Sequence, residues 1–309
     1  MEKGKRKWGR IVAVHLVSLI ILGGLVVEFA EEIQTVKEKV YYTLFPLPVT
    51  GATDDQIVLH PVEKDPNAWY AKKPLIYHAG GEIEGSSYTN SLEALENALS
   101  QGKYFIELDL RYTSDRHLVC THTWTDAYLE DYQPTLEEFE NSRIQGKFTP
   151  LTAKKMLEIM KENPQMHLVT DIKEENVATV IADMAQMMDW DPDVLDRFII
   201  QLYTGREKPE VLKVYPFRDE QFIFTTYEWG KFQLEVAQIC NEENIAVITA
   251  PYGEISDKNA RILADYGFTV YEHTVNRADE ACRSLRRGIS GFYTDDLSEK
   301  DLCYCMGVS

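Results

Sequence analysis

The sequence predicts an α/β fold: a TIM (β/α)8 barrel preceded by one N-terminal transmembrane helix. Three observations carry that prediction. From Pro74 onward, short β-rich runs alternate with amphipathic helical stretches. About eight such units fill roughly 235 residues, the size of one barrel. Ahead of them, a long apolar run follows a cluster of basic residues.

The apolar run covers residues 11–30 and is preceded by Lys3, Lys5, Arg6, Lys7 and Arg10. A helix of that length spans about 30 Å, the thickness of the hydrocarbon core. Basic flanks stay cytoplasmic, which puts the remainder of the chain outside. The run is long for a signal peptide, and no small-residue cleavage site follows it. An uncleaved single-pass anchor is therefore preferred to a cleaved signal or a buried core helix. The expected organisation is a cytoplasmic tail (1–10), an anchor (11–30), an extracytoplasmic connector (31–73) and a barrel domain (74–309). This places the barrel at the cell membrane, on its outer side.

The chain has 309 residues, enough for one large domain and an appendage. With 44% hydrophobic and 27% charged residues, most of it is ordered globular material rather than disordered chain. The formal charge of -18 argues against nucleic acid as a partner, because affinity for phosphate backbones comes from Lys and Arg. It argues equally against loose adsorption to an anionic membrane surface. The five cysteines contain no CxxC pair, so a zinc site is not expected. Cys303 and Cys305 are too close to pair with each other, and the connectivity of the five stays open.

The strand candidates are 74–80, 104–110, 117–122, 167–173, 198–203, 222–227, 245–250, 268–274 and 291–295. Helical patterns at 91–101, 150–163 and 176–190 lie between them. Strand followed by helix, repeated, signals parallel βα units. An open doubly wound sheet would show a Gly-rich turn running straight into a helix after its first strand. Here GGEIEGSSYTN intervenes and matches no GxGxxG pattern. Catalytic groups of a barrel sit at the C-terminal ends of its strands. The polar residues expected there are His78, Glu107, Asp109, His122, Asp171, Lys173, Gln201 and Tyr203.

Glu107 and Asp109 alternate on one strand, so both point to the same face. Two carboxylates on a buried face need compensation, and hard oxygen ligands favour Mg²⁺ or Ca²⁺. Asp171, at the end of the next long strand, is a natural third ligand. Lys173 lies two residues on and shares its face, where it could meet a phosphate oxygen. His78 and His122 end two other strands. Two imidazoles suit in-line cleavage of a phosphodiester, one taking a proton from the nucleophile and one delivering a proton to the leaving oxygen.

From HAG (78–80) to DIK (171–173) the chain resembles the glycerophosphodiester phosphodiesterase family. The matching pieces are HAG, TNS (89–91), ELD (107–109), THT (121–123) and DIK, in the family's order and spacing. VYEHTVN (270–276) and GISGFYTDD (288–296) are similar to its closing strands. The resemblance implies a TIM barrel, His78 and His122 as the acid/base pair, and a divalent cation held by Glu107, Asp109 and Asp171. Lys173 would contact phosphate, and Asn90, Gln201, Tyr203 and His273 are further candidates for substrate contact. The implied substrate is a small-molecule or lipid-derived glycerol phosphodiester, and the neighbouring hydroxyl of such a substrate can attack to give a cyclic phosphate. The chain departs from the family pattern at Ala79, where the family has Arg, at Thr89 for Glu, at Asp171 for Glu, at Thr123 for Asp, and at His273 for an aromatic residue.

Simpler readings stand beside these. Glu107 and Asp109 alone could be a solvated strand face, and Lys173 could merely pair with one of them. His273 and Asn276 could pack rather than line a pocket, and Asp295 could simply cap a turn. PTLEEF (134–139) reads as part of a lid-like insertion. Rival functions are a lyase-like enzyme that stops at a cyclic phosphate and a non-catalytic binder of phosphorylated ligands. A sugar-processing barrel is disfavoured, since carboxylates two residues apart cannot flank a sugar ring.

Overall fold

The computed structural model describes residues 57–63, 65–127, 132–226 and 234–306. The apolar run 11–30 lies outside the described residues. Among the described residues no helix is long and apolar enough to cross a membrane.

Ten strands follow in chain order: β1 (Leu75–Tyr77), β2 (Phe105–Tyr112), β3 (Leu118–Cys120), β4 (Leu151–Thr152), β5 (His167–Ile172), β6 (Phe198–Leu202), β7 (Phe222–Thr225), β8 (Val247–Pro251), β9 (Thr269–His273) and β10 (Gly291–Thr294). Eight of them run parallel in the neighbour order β1-β10-β9-β8-β7-β6-β5-β2, and a β1–β2 pairing closes the circle. This is the expected (β/α)8 barrel.

The run 117–122 is not one of the barrel strands. Strand β2 extends past the barrel rim, and a turn at Thr113–Arg116, with Arg116 at φ 67, reverses the chain. β3 therefore pairs antiparallel to β2, Leu110 opposite Cys120, and β4 pairs antiparallel to β3. No helix separates β2 from β3, so the pair cannot be a right-handed parallel crossover.

Polar caps set the helix starts. Ser91 accepts from the Ala94 N–H ahead of helix Leu92–Ser100, and Asn176 from Thr179 ahead of Val177–Met187. Thr152 closes β4 and caps helix Ala153–Glu162 at once, so the expected helix at 150–163 begins three residues late. Thr135 and Glu138 form a capping box on helix Leu136–Asn141. That helix lies between β3 and β4, and its Phe139 packs with Val119, Trp124, Ile144 and Phe148 in a separate small core. PTLEEF thus belongs to an excursion from the barrel.

Inside the barrel, Ile76, Phe105, Val169, Ile199, Ile223, Val247, Tyr271 and Tyr293 form one buried cluster, one residue from each parallel strand. Ala68, Trp69 and Tyr70, just before β1, pack against it. The Trp69 ring stacks on Phe105 with centroids 5.6 Å apart, and its indole N–H donates to the Glu220 carbonyl at 2.7 Å. These residues lie in the stretch expected as a connector; here they seal the N-terminal end of the barrel. Gly291 makes room for this layer, because a Cβ there would meet the Tyr271 ring at 2.5 Å. A disulfide joins Cys282 to Cys305, tying helix Ala278–Arg286 to helix Glu299–Met306.

Candidate active site

Two residues further along each strand, the inward face changes character. The apolar cluster gives way to His78, Glu107, Asp171, Gln201, Thr225, Thr249, His273 and Asp295. This polar ring lies at the C-terminal ends of the strands, where a barrel carries its chemistry.

Glu107, Asp109 and Asp171 each offer a carboxylate oxygen within 4.8 Å of the others. Glu107 and Asp109 are each only 1% exposed. The Ala79 N–H donates to Glu107 Oε2 at 2.8 Å, but Glu107 Oε1 is buried without a hydrogen-bond partner. Ala79 aims that N–H from a left-handed backbone, φ 48 and ψ 34, which costs an L residue about 1 kcal/mol. Asn90 grips Asp109 twice. Its amide donates to Asp109 Oδ2 at 2.8 Å, and its carbonyl oxygen accepts from the Asp109 backbone N–H at 2.9 Å. The Tyr203 hydroxyl donates to Asp171 Oδ1. Three hard oxygen donors, one with an orphaned lone pair in a dry site, fit Mg²⁺ or Ca²⁺.

Lys173 Nζ lies 3.0 Å from Asp109 Oδ1 and 2.9 Å from Asp171 Oδ2. It partly neutralises two of the three acids, so it ion-pairs with Asp171 as well as with Asp109. Gln201 sits lower, buried, where its carbonyl oxygen accepts from Thr225 Oγ1 at 3.0 Å and from the Tyr293 hydroxyl at 2.7 Å. Asn90, Gln201 and Tyr203 are therefore placed where they hold the site together. His273 is held in the wall with its ring edge-on to Tyr293.

His78 follows β1, and its Nδ1 is 2.9 Å from Asp295 Oδ1. An ionised Asp295 fixes a proton on Nδ1 and leaves Nε2 for other work. Asp295 is itself clamped by Asn276, which donates to Oδ2 at 2.5 Å and accepts from its backbone N–H at 2.8 Å. Asp295 is thus the partner of a site histidine rather than a turn cap, and Asn276 holds it there. The separation of 217 residues hides the pair from any local motif. His122 returns to the rim through the β2–β3 reversal: the Thr121 N–H donates to the Asp109 carbonyl at 3.0 Å. The guanidinium of Arg111, which shares its strand face with Glu107 and Asp109, donates through Nε to the His122 carbonyl at 2.7 Å. Between the two imidazoles stands Tyr88, its ring centroid 4.5 Å from His78 and 4.9 Å from His122.

The titration of these groups follows from their surroundings. Burial, then the neighbouring Asp109, pushes Glu107 up to about 8. Burial alone would lower His78, but its bond to Asp295 and the nearby Glu107 and Asp109 raise it above the ordinary imidazole value. Burial, then Lys173, lowers His122. Burial and then His78 bring His273 down to about 4, so it is neutral at physiological pH. The two flanking histidines are pushed apart, the pattern of an acid paired with a base.

The model of the glycerophosphoryl diester phosphodiesterase family matches residues 80–299 of the chain. No curated protein matches it. Among solved structures, it is similar to a glycerophosphodiester phosphodiesterase from Parabacteroides distasonis, with 20% identity and a TM-score of 0.58 over 76% of this chain and 97% of that one. It is also similar to an Oleispira antarctica phosphodiesterase in complex with the product sn-glycerol-3-phosphate, with 14% identity and a TM-score of 0.58 over 74% and 95% of the two chains.

Proposed function

The chain belongs to the glycerophosphoryl diester phosphodiesterase family, a family of phosphoric diester hydrolases, and from that premise we propose how it works and on what. The substrate is a glycerophosphodiester or a related phosphodiester of a lipid or polymer head group. One observation carries this reading: three carboxylates lie within 4.8 Å of one another, and two imidazoles, both packed on the Tyr88 ring, stand at the same end of the barrel.

Glu107, Asp109 and Asp171 would hold a divalent cation, which when bound neutralises phosphate charge and stabilises charge that develops on its oxygens. His122 is the neutral partner and takes the proton from the attacking hydroxyl. His78 is the protonated one. With Nδ1 committed to Asp295, it delivers its proton from Nε2 to the leaving oxygen. Asp295 holds the ring in position and keeps it charged, and Asn276 holds Asp295. Lys173 keeps Asp109 and Asp171 in place.

The chain is proposed to act outside the cytoplasm, tethered by residues 11–30. The basic flank of that run supports this. So does the Cys282–Cys305 disulfide, which suits an oxidising compartment.

Phosphorus NMR of a phosphodiester panel tests the reading, using wild type, His78→Ala and Glu107→Ala, each with and without chelator. Turnover by wild type alone, abolished by chelation, is the expected result. Activity that survives chelation and both substitutions would contradict it.

A further inference from the structure

Tyr88 was singled out by no motif, yet among the described residues its ring packs against both flanking histidines, at 4.5 and 4.9 Å between centroids. Its position is fixed from both sides. The Gln145 side chain donates to the Ser87 carbonyl at 3.0 Å, and Asn90, two residues on, is doubly bonded to Asp109. Tyr88 itself has φ 63, a left-handed conformation that turns the ring in toward the barrel mouth. After burial, the charges that act on its phenol are those of Asp109, Lys173, Glu107 and Asp171, which puts the phenol in the neighbourhood of the acidic cluster. No described residue accepts from or donates to that hydroxyl.

A phosphodiester bound beside His78 and His122 has two non-bridging oxygens, and the cation that Glu107, Asp109 and Asp171 would hold would neutralise one of them. The other needs a donor. Position 79 carries a buried methyl group and offers none, and Lys173 is already shared between Asp109 and Asp171. Arg111 commits its Nε to the His122 carbonyl. The group standing between the two imidazoles is the Tyr88 phenol.

We propose that Tyr88 is a substrate-binding residue of this enzyme: its hydroxyl donates to a non-bridging phosphoryl oxygen, while its ring sets the spacing of His78 and His122. This rests on the phosphodiesterase reading above and adds the residue that grips the phosphoryl group. A neutral phenol suits an acidic chain, because it binds an anion without drawing a further ion pair into the cluster. It also tolerates variation in the alcohol portions of the diester, since it reads only the phosphoryl group they share.

The test compares wild type, Tyr88→Phe and Tyr88→Leu on glycerophosphocholine with Mg²⁺, alongside calorimetric titration of the same proteins with inorganic phosphate. Losing one hydrogen bond to a charged group should lower kcat/KM by about 10- to 100-fold in Tyr88→Phe and weaken phosphate binding by a similar factor. The pH profile should keep its two limbs in that variant, because both imidazoles keep their neighbour. Tyr88→Leu should lose more and shift the limbs. A ring that serves only as a spacer would leave Tyr88→Phe within twofold of wild type in both measurements, and that overturns the proposal. Should wild type cleave no diester at all, the phosphodiesterase reading falls by itself. The phosphate titration then still decides Tyr88: equal binding by wild type and Tyr88→Phe refutes it, and weakened binding upholds it.

Discussion

The lower and upper rings of the barrel interior are two residues apart on the same eight strands, and they do opposite work. The lower ring, from Ile76 round to Tyr293, is apolar, buried and sealed by Trp69. The upper ring, from His78 round to Asp295, gathers acids, imidazoles and hydroxyls in the same dry interior. Burying the first set drives folding. Burying the second opposes it, because each ionised group loses water and must find a partner. Asp109, Asp171, His78 and Asp295 have found theirs, while Glu107 keeps one oxygen without any. The contrast locates function: the polar ring is tolerated at a cost in stability, a cost that a cation held by the three carboxylates would relieve.

Substitutions at the two rings should therefore separate activity from stability. The largest effect is expected for His78→Ala and His122→Ala. Each should lower kcat/KM by roughly 10²–10⁴-fold, the usual worth of a general acid or base, with little change in the unfolding midpoint. Steady-state kinetics beside thermal unfolding checks both halves.

Next comes Asp295→Asn. The wild-type profile of kcat/KM should rise as pH increases through the lowered value of His122, which must be neutral. It should fall as pH increases through the raised value of His78, which must be protonated. Without the Asp295 carboxylate His78 loses the strongest of the groups that raise it, so the upper limb should move to lower pH and activity at pH 8 should drop by roughly 10-fold. An unchanged upper limb would separate His78 from that limb.

Trp69→Ala addresses the other end. It should lower the unfolding free energy by about 2–4 kcal/mol, since half-buried stacking on Phe105 and Tyr271 is lost. Turnover per folded molecule should stay within about twofold, because nothing at the lower ring touches the chemistry. Denaturant unfolding paired with kinetics on the folded fraction tests this.

A further effect is one of linkage. Glu107 goes from an ordinary 4.5 to about 8 in the folded chain, so between those values the folded state holds more protons than the unfolded state. Stability of chelated protein should therefore be fully present below pH 4.5 as far as Glu107 is concerned and should decline as pH rises toward 8. Glu107→Gln should flatten that slope, and unfolding midpoints measured across the window will show whether it does.

The barrel itself was legible because strand and helix alternate along the chain and because the polar residues follow the β-rich runs. Glu107, Asp109 and Asp171 were legible for a local reason: two share one strand, and the third lies on the strand paired beside it, Asp109 opposite Asp171. Asp295 was not, since its link to His78 exists only once β10 closes against β1. Tyr88 lies in an irregular segment whose conformation no periodicity encodes. His122 was placed on a barrel strand, but the β2–β3 reversal turns on one left-handed residue, Arg116, which a β-rich pattern does not reveal. Lys173 showed the right face and the wrong exclusivity: its reach to both Asp109 and Asp171 depends on strand pairing. The Cys282–Cys305 bridge depends on the packing of two helices far from any Cys motif.

The central claim is that the upper ring is built around a divalent cation held by Glu107, Asp109 and Asp171. Calorimetric titration of chelator-treated wild type and Glu107→Gln with Mg²⁺ and with Ca²⁺ at pH 8 tests it most directly. The expected result is one site per wild-type chain for at least one of the two ions, with binding at least about tenfold weaker in Glu107→Gln. No binding by wild type, or equal binding by both proteins, would contradict it.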